Sequence, residues 1–395
     1  MQPLRLTIPG EFYDSQIYAG RLHLWEVDHS IRTYNWDELI DSLAVPENLN
    51  LAVQCGFRRS DYLYGSQWDL IFQDKDIRST ITKKFSRLAT HSLEMSSSHL
   101  TKALVDHQSN PINFPHSDSV IYGGRLYVAG QKGVWRTSCN KGNRHAISTR
   151  PNRIWDCPIL SIAAAYGSLA LSAGDEGLYE QNISDHDPWW AKDDDASDPK
   201  QLSATHSSSS HWTYYSVFSS SYKHSGYLAD FDKESAQTAD DPRFRKRVFR
   251  ETISAEDIFH SKAYSWGVQD KLCQFLNGEL KVIRYSPWYD GEQFEELPNL
   301  ELSHEKGGFV SAESSTFGYI VEFDGGLSVV ESDGSEFWIK GEPVSWRVFP
   351  KSKHYANHLH VIYDDRLVIY SFNSDYFVDQ DEKIAGIKFN PRTRG

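Results

Sequence analysis

Cysteine is scarce in this chain. Cys55, Cys139, Cys157 and Cys273 stand far apart in 395 residues and form no Cys-x-x-Cys pair. That spacing argues against a dense disulfide framework and against a cysteine-built zinc site. Long apolar runs are missing as well. Nowhere do about 18 apolar residues stand together, so no membrane-spanning helix is expected. The opening "MQPLRLTIPGEFYD" shows no apolar run of the secretory kind, which makes the cytoplasm the default location. Excess positive charge is lacking too: 41 basic residues against 54 acidic ones leave a formal charge of −13. That balance opposes general attraction to phosphate backbones and suits a partner with a basic surface. Three catalytic signatures are absent, namely Gly-x-Ser-x-Gly, the phosphate-binding loop and His-Glu-x-x-His.

Aromatic residues, by contrast, are plentiful: 12 Trp, 21 Tyr and 20 Phe make up 13% of the chain. They favour half-buried pleated surfaces. One phrase recurs around them. Ile17-Tyr18, Ile121-Tyr122 and Ile362-Tyr363 are each followed by two turn residues and then Arg-Leu. Similar strand–turn–strand units follow Gly167, Asp270 and Gly325. Two-residue turns between alternating runs signal hairpins. A strand-like segment before each unit, clearest in "PILSIAAAY" with its small residues, makes a four-stranded meander. Weaker copies at Asn50–Phe72 and His211–Phe231 fill the long gaps. Turn spacings of about 40 to 55 residues are those of propeller blades. We therefore expect an all-β chain, a β-propeller of seven blades within a range of six to eight. Gly123-Gly124, Gly325-Gly326 and Asp364-Asp365 should occupy equivalent turns. Residues 1–395 read as one domain, with 74–110 and 230–250 as polar insertions or long loops.

The chain resembles the β-propeller superfamily over nearly all its length. Trp36-Asp37, Trp68-Asp69 and Trp155-Asp156 resemble the ends of WD repeats. Their spacing is irregular and no Gly-His dipeptide precedes them, so the resemblance names no single family. "NWDELIDSL" from Asn35 reads instead as a short helix with a capping box between Asn35 and Glu38.

No cofactor or metal is expected. The aspartates of 184–199 lack the spacing and central glycine of a calcium loop. His354, His358 and His360 read as satisfied surface histidines. Partner contacts are expected at Trp189 and Trp190, in an acidic loop, and at Arg243, Arg245, Lys246 and Arg247. Nucleic acid would have to use the basic stretch 243–250 against the net charge. The function expected is a noncatalytic protein-interaction or scaffold module. The alternative is a propeller enzyme, a hydrolase or lyase acting on a glycan or small molecule at the mouth of a central channel.

Overall fold

A computed structural model describes residues 2–64, 71, 74–112, 114–140, 145–183, 198–233, 247–287, 293–302, 307–331 and 334–373. The chain is a seven-bladed β-propeller, each blade a small meander with antiparallel neighbours. Contacts divide it into two compact units.

The unit formed by 111–141 and 147–301 holds four blades. Blade 2 comprises Asp118–Tyr122, Arg125–Gly130, Gly133–Ser138 and Asn152–Trp155. Blade 3 comprises Ser161–Ala165, Ser168–Ser172, Leu178–Asn182 and Lys200–Ser203. Blade 4 comprises Ser209–Thr213, Ser216–Ser220, Tyr227–Lys233 and Arg247–Ser254. Blade 5 comprises Tyr264–Val268, Lys271–Leu276 and Glu279–Tyr285, with Phe294–Glu296 and Leu300–Glu301 both paired to the third strand. The weak copy at His211–Phe231 is thus a blade. Second strands such as Ser168–Ser172 and Ser216–Ser220 are buried along their whole length, because both faces of an inner blade strand are covered. Their small and apolar residues fit that crowding.

The unit formed by 1–110, 142–146 and 302–395 holds the other three. Blade 1 comprises Phe12–Tyr18, Arg21–Glu26, Ser30–Asn35 and Leu104–Ser109. Blade 6 comprises Phe309–Ser315, Gly318–Phe323, Gly326–Glu331 and Glu336–Lys340. Blade 7 comprises Ser345–Val348, His358–Tyr363 and Arg366–Ser371, and the N-terminal strand Leu4–Pro9 completes it. Leu4 pairs with Ser371 and Pro9 with Arg366, so the two ends of the described chain share one sheet and no open edge is left between them. A short parallel strand, Leu93–Glu94, adds to its outer side.

Two expectations need correction. The described part of Asn50–Phe72, residues 50–64 and 71, is not a blade. Asn50–Val53 is an α-helical turn, Gln54–Arg58 a π-turn and Asp61–Tyr64 another helical turn. Leu49, Ala52, Val53 and Phe57 are buried at helical spacing, a period of 3.6 that was misread as strand. The segment locks onto blade 7 through one carbonyl: the Gly56 oxygen accepts bonds from Asn357 Nδ2 at 2.8 Å, His358 Nε2 at 3.0 Å and Ser371 Oγ at 2.8 Å. The helix Lys75–Leu88 follows, capped by Asp74 and burying Ile81, Phe85 and Leu88.

The second correction concerns turn equivalence. The phrases at Ile17 and Ile121 join first and second strands. The one at Ile362 joins second and third strands, as does the turn before Gly326. These are opposite ends of a blade. Ala19-Gly20 and Gly123-Gly124 are left-handed at both positions, whereas Asp324-Gly325 and Asp364-Asp365 hold no left-handed residue. The phrase encodes a tight hairpin, and a meander contains several.

Trp36–Asp41 is helical as expected, with Trp36, Leu39 and Ile40 buried. The capping box is not formed. Asn35 ends a strand, its backbone paired with Arg21, and its side chain makes no cap bond. Trp36 Nε1 instead donates to Phe57 O at 2.6 Å.

Candidate protein-interaction surface

Blades 3 and 4 each turn between first and second strands on tyrosine. The two-residue loop Tyr166-Gly167 requires left-handed backbone at both positions, with φ of 52° and 72°. Glycine meets that demand freely. Tyr166 does not; a bulky side chain held there stores strain of about 1–3 kcal/mol. In blade 4 the loop is Tyr214-Tyr215, and Tyr214 again sits at φ 49°. Strain of this kind persists only when its surroundings fix it.

Those surroundings are aromatic. The Tyr166 ring lies 4.7 Å from Tyr215 and 5.7 Å from Trp212, the latter edge-on. Beneath them the Arg247 guanidinium stacks 4.5 Å from the Trp212 ring and 4.0 Å from Phe231. Arg247 also pairs with Glu180 and donates to Tyr215 O. The side chain is only 10% exposed, so its charge is directed inward and braces the turn. From blade 2, Tyr122 Oη accepts the Gly167 N–H at 3.1 Å.

A polar network backs the loop of blade 4. Ser216 Oγ donates to Asp230 Oδ1 at 3.2 Å, accepts from Phe231 N at 3.1 Å and meets Tyr285 Oη at 2.9 Å. Tyr285 Oη donates to the same Asp230 oxygen. Burial first, and then this carboxylate, push the phenol upward, so it stays protonated and a donor at all ordinary pH. Above this fixed base Tyr166 remains 46% exposed. Rigid tyrosines on a preorganised support, with tryptophan and arginine beneath, have the composition of binding hot spots.

Among the partner candidates named from sequence, only Arg247 falls within the described residues. Trp189, Trp190, Arg243, Arg245 and Lys246 lie outside them. The described chain runs up to 183 beside the Tyr166 turn, where Ile183 N donates to Gly167 O at 2.9 Å. After the second gap, which follows Lys233, it resumes at Arg247, paired with Lys233, and Arg247 reaches the Tyr214-Tyr215 turn through its bond to Tyr215 O. The tyrosines themselves escaped the sequence reading. Their signal is a tyrosine where a hairpin turn calls for glycine or asparagine, in "AAAYGSLA" and "HWTYYSVF".

The histidines differ from expectation. His358 and His360 are fully buried, not on the surface, because their strand is the second of blade 7 and is covered on both faces. His360 Nδ1 bonds Ser15 Oγ at 3.0 Å, and the two rings lie 5.9 Å apart. His354 turns away and bonds Asp61 Oδ1 at 2.8 Å. Burial would raise the Asp61 carboxyl, but bonds from His354 and Arg59 outweigh it and hold it well below its usual range. Among the described residues no three His, Cys, Asp or Glu side chains group as metal ligands, and no helix is long and apolar enough to cross a membrane.

No protein-family model and no curated protein matches the sequence. Solved structures do. The β-propeller domain of Cps50 (Swd1) from Myceliophteria thermophila is 10% identical, with a TM-score of 0.51 over 92% of this chain and 97% of that one. The WD40 propeller domain of Doa1 is 13% identical, with a TM-score of 0.35 over 68% and 96%. A putative 6-phosphogluconolactonase from Bacteroides fragilis is 10% identical, with a TM-score of 0.43 over 72% and 87%. At such identity the first of these likenesses speaks to fold alone, and that fold is the β-propeller.

Proposed function

We propose that this chain is a noncatalytic protein-interaction module and that its contact surface is the tyrosine turn surface of blades 3 and 4. The observation that carries the proposal is the pair of strained tyrosine turns, Tyr166 and Tyr214. A left-handed tyrosine costs a hairpin turn backbone strain that glycine or asparagine would avoid, so a use outside folding is indicated. Trp189, Trp190, Arg243, Arg245 and Lys246 lie outside the described residues, and we include them as partner contacts on their sequence character. The acidic flank of Trp189 and Trp190 favours a partner with a basic surface. The propeller likeness to Cps50 (Swd1) and Doa1 is consistent with a scaffold role.

The test is quantitative affinity purification with the full chain and with Tyr166→Asn. Asparagine tolerates the left-handed turn, so relief of roughly 1 kcal/mol offsets the lost ring contacts and the melting temperature stays within a few degrees. Partners retained by the native chain and lost by this folded variant support the proposal. An unchanged partner set, with the variant folded, refutes it.

A further inference from the structure

The unit that holds blades 1, 6 and 7 carries a second surface with different chemistry. A cleft of about 410 Å³ runs between the last strand of blade 6 and the face of blade 7. Arg366 and Val368 alternate along its floor with Tyr370, all on one face of the strand Arg366–Ser371. Trp338 and Lys340 come from the opposite wall, Glu336–Lys340.

Three cations meet there: Arg5, Lys340 and Arg366. Arg366 spends Nη1 on Asp365 at 2.7 Å, and its guanidinium lies 5.0 Å from the Tyr363 ring. Its Nε is buried with no acceptor among the described residues. A buried donor left unpaired is costly, and an incoming anion would satisfy it. Neither Arg5 nor Lys340 has a carboxylate partner among the described residues. One feature of the opposite sign faces the cleft, the end of the helix Lys75–Leu88 at its C-cap Ala89. A helix C-terminus carries about half a negative charge, less than any one of the three full cations.

Register sets the spacing. Arg5 pairs with Tyr370, and Pro9 pairs with Arg366. The two arginines are therefore four residues apart along one strand pair, about 14 Å at roughly 3.4 Å per residue. Two acidic side chains four residues apart on an extended peptide match that spacing, with the residue between them against Trp338. The formal charge of −13 disfavours nucleic acid, with a charge on every nucleotide, far more than a peptide with two carboxylates.

We propose that this cleft binds an extended acidic peptide segment, with Arg5 and Arg366 each taking a carboxylate and an apolar or aromatic residue lying between them. The proposal goes beyond the tyrosine surface, uses none of its residues, and can fail without affecting that reading.

Fluorescence anisotropy on the full chain tests it with three labelled probes: the peptide Glu-Ala-Phe-Ala-Glu, its Gln-Ala-Phe-Ala-Gln counterpart, and an oligothymidylate. The acidic peptide should bind saturably, with a Kd between about 10 μM and 1 mM. The glutamine peptide should bind about tenfold more weakly or worse, and salt should weaken the acidic one. Arg5→Gln and Arg366→Gln should each lower affinity about five- to tenfold. Lys340→Gln, at an exposed position, should lower it less and guards against loss of fold. No saturable binding of the acidic peptide, indifference to both arginine substitutions in folded protein, or tighter binding of the oligothymidylate would each overturn the proposal.

Discussion

Acidification from about pH 7 to about pH 5 should remove roughly 6 kcal/mol of stability from this protein through three histidines. His23, His358 and His360 are each fully buried. His23 Nδ1 bonds Thr33 Oγ1 at 3.0 Å, His358 Nε2 donates to the Gly56 carbonyl and His360 Nδ1 bonds Ser15 Oγ. The second nitrogen of each ring is buried without a partner. Protonation would create an unpaired N–H and a buried charge together. Burial accordingly depresses His358 to about 4 and His23 to about 3, the latter aided by Arg21. It also holds His360 well below the usual range, together with His358 and Arg347 and against the pull of Asp14. The folded pKa lies below the unfolded value of about 6.5 in each case, so the unfolded state binds the extra proton. Stability is complete above that value and is lost as pH falls through it. At about pH 5 each histidine sits about 1.5 pH units below, worth roughly 2 kcal/mol. The sum is comparable to the roughly 5–15 kcal/mol that holds a typical domain. Denaturant titrations at stepped pH read the slope directly, expected near three protons. His358→Gln keeps a donor for the Gly56 carbonyl and removes one titrating group, so its slope should fall by one proton whatever its stability at neutral pH. A flat profile between about pH 6 and 5, or an unaltered slope in His358→Gln, would refute the reasoning.

Two further outcomes are expected. Tyr285→Phe removes a donor from the buried Asp230 carboxylate and should destabilise by about 1–3 kcal/mol, seen as a melting temperature several degrees lower; an unchanged melting curve would show that the network behind Tyr214 is not tight. Trp189→Ala combined with Trp190→Ala should leave the melting temperature within a few degrees while weakening partner binding by roughly 2 kcal/mol or more, whereas a destabilised protein with normal affinity would remove both residues from the contact surface.

The architecture was legible because a propeller writes its hairpins locally. Tyr122-Gly123-Gly124-Arg125 specifies a tight antiparallel turn from four neighbouring residues, and six of the seven blades carry a clear signal of that kind, blade 4 showing only the weak copy at His211–Phe231. Position within the blade was not legible, because the same four-residue pattern serves first and second hairpins alike, as Tyr363-Asp364-Asp365-Arg366 shows. Asn50–Phe57 misled for a related reason. Its glycine and apolar residues satisfy a strand template as well as a helical one over so short a window, and its helical form rests on Asn357, His358 and Ser371, some three hundred positions away. Burial followed the same division. Alternation in "HLHVIY" placed His358 and His360 on one face, but whether that face meets solvent or the next blade depends on sheet stacking, which strand alternation does not encode. The candidate surface was the least legible of all. Tyr166, Tyr215, Trp212 and Arg247 come from two turns and two strands of two blades. Of these only Arg247 stood among the sequence candidates, although a tyrosine at a turn position that favours glycine is a signal the sequence carries. A residue that contradicts its local backbone preference is where folding requirements alone stop explaining the sequence, and at Tyr166 and Tyr214 that point coincides with an aromatic surface braced from beneath by Arg247 and Tyr285.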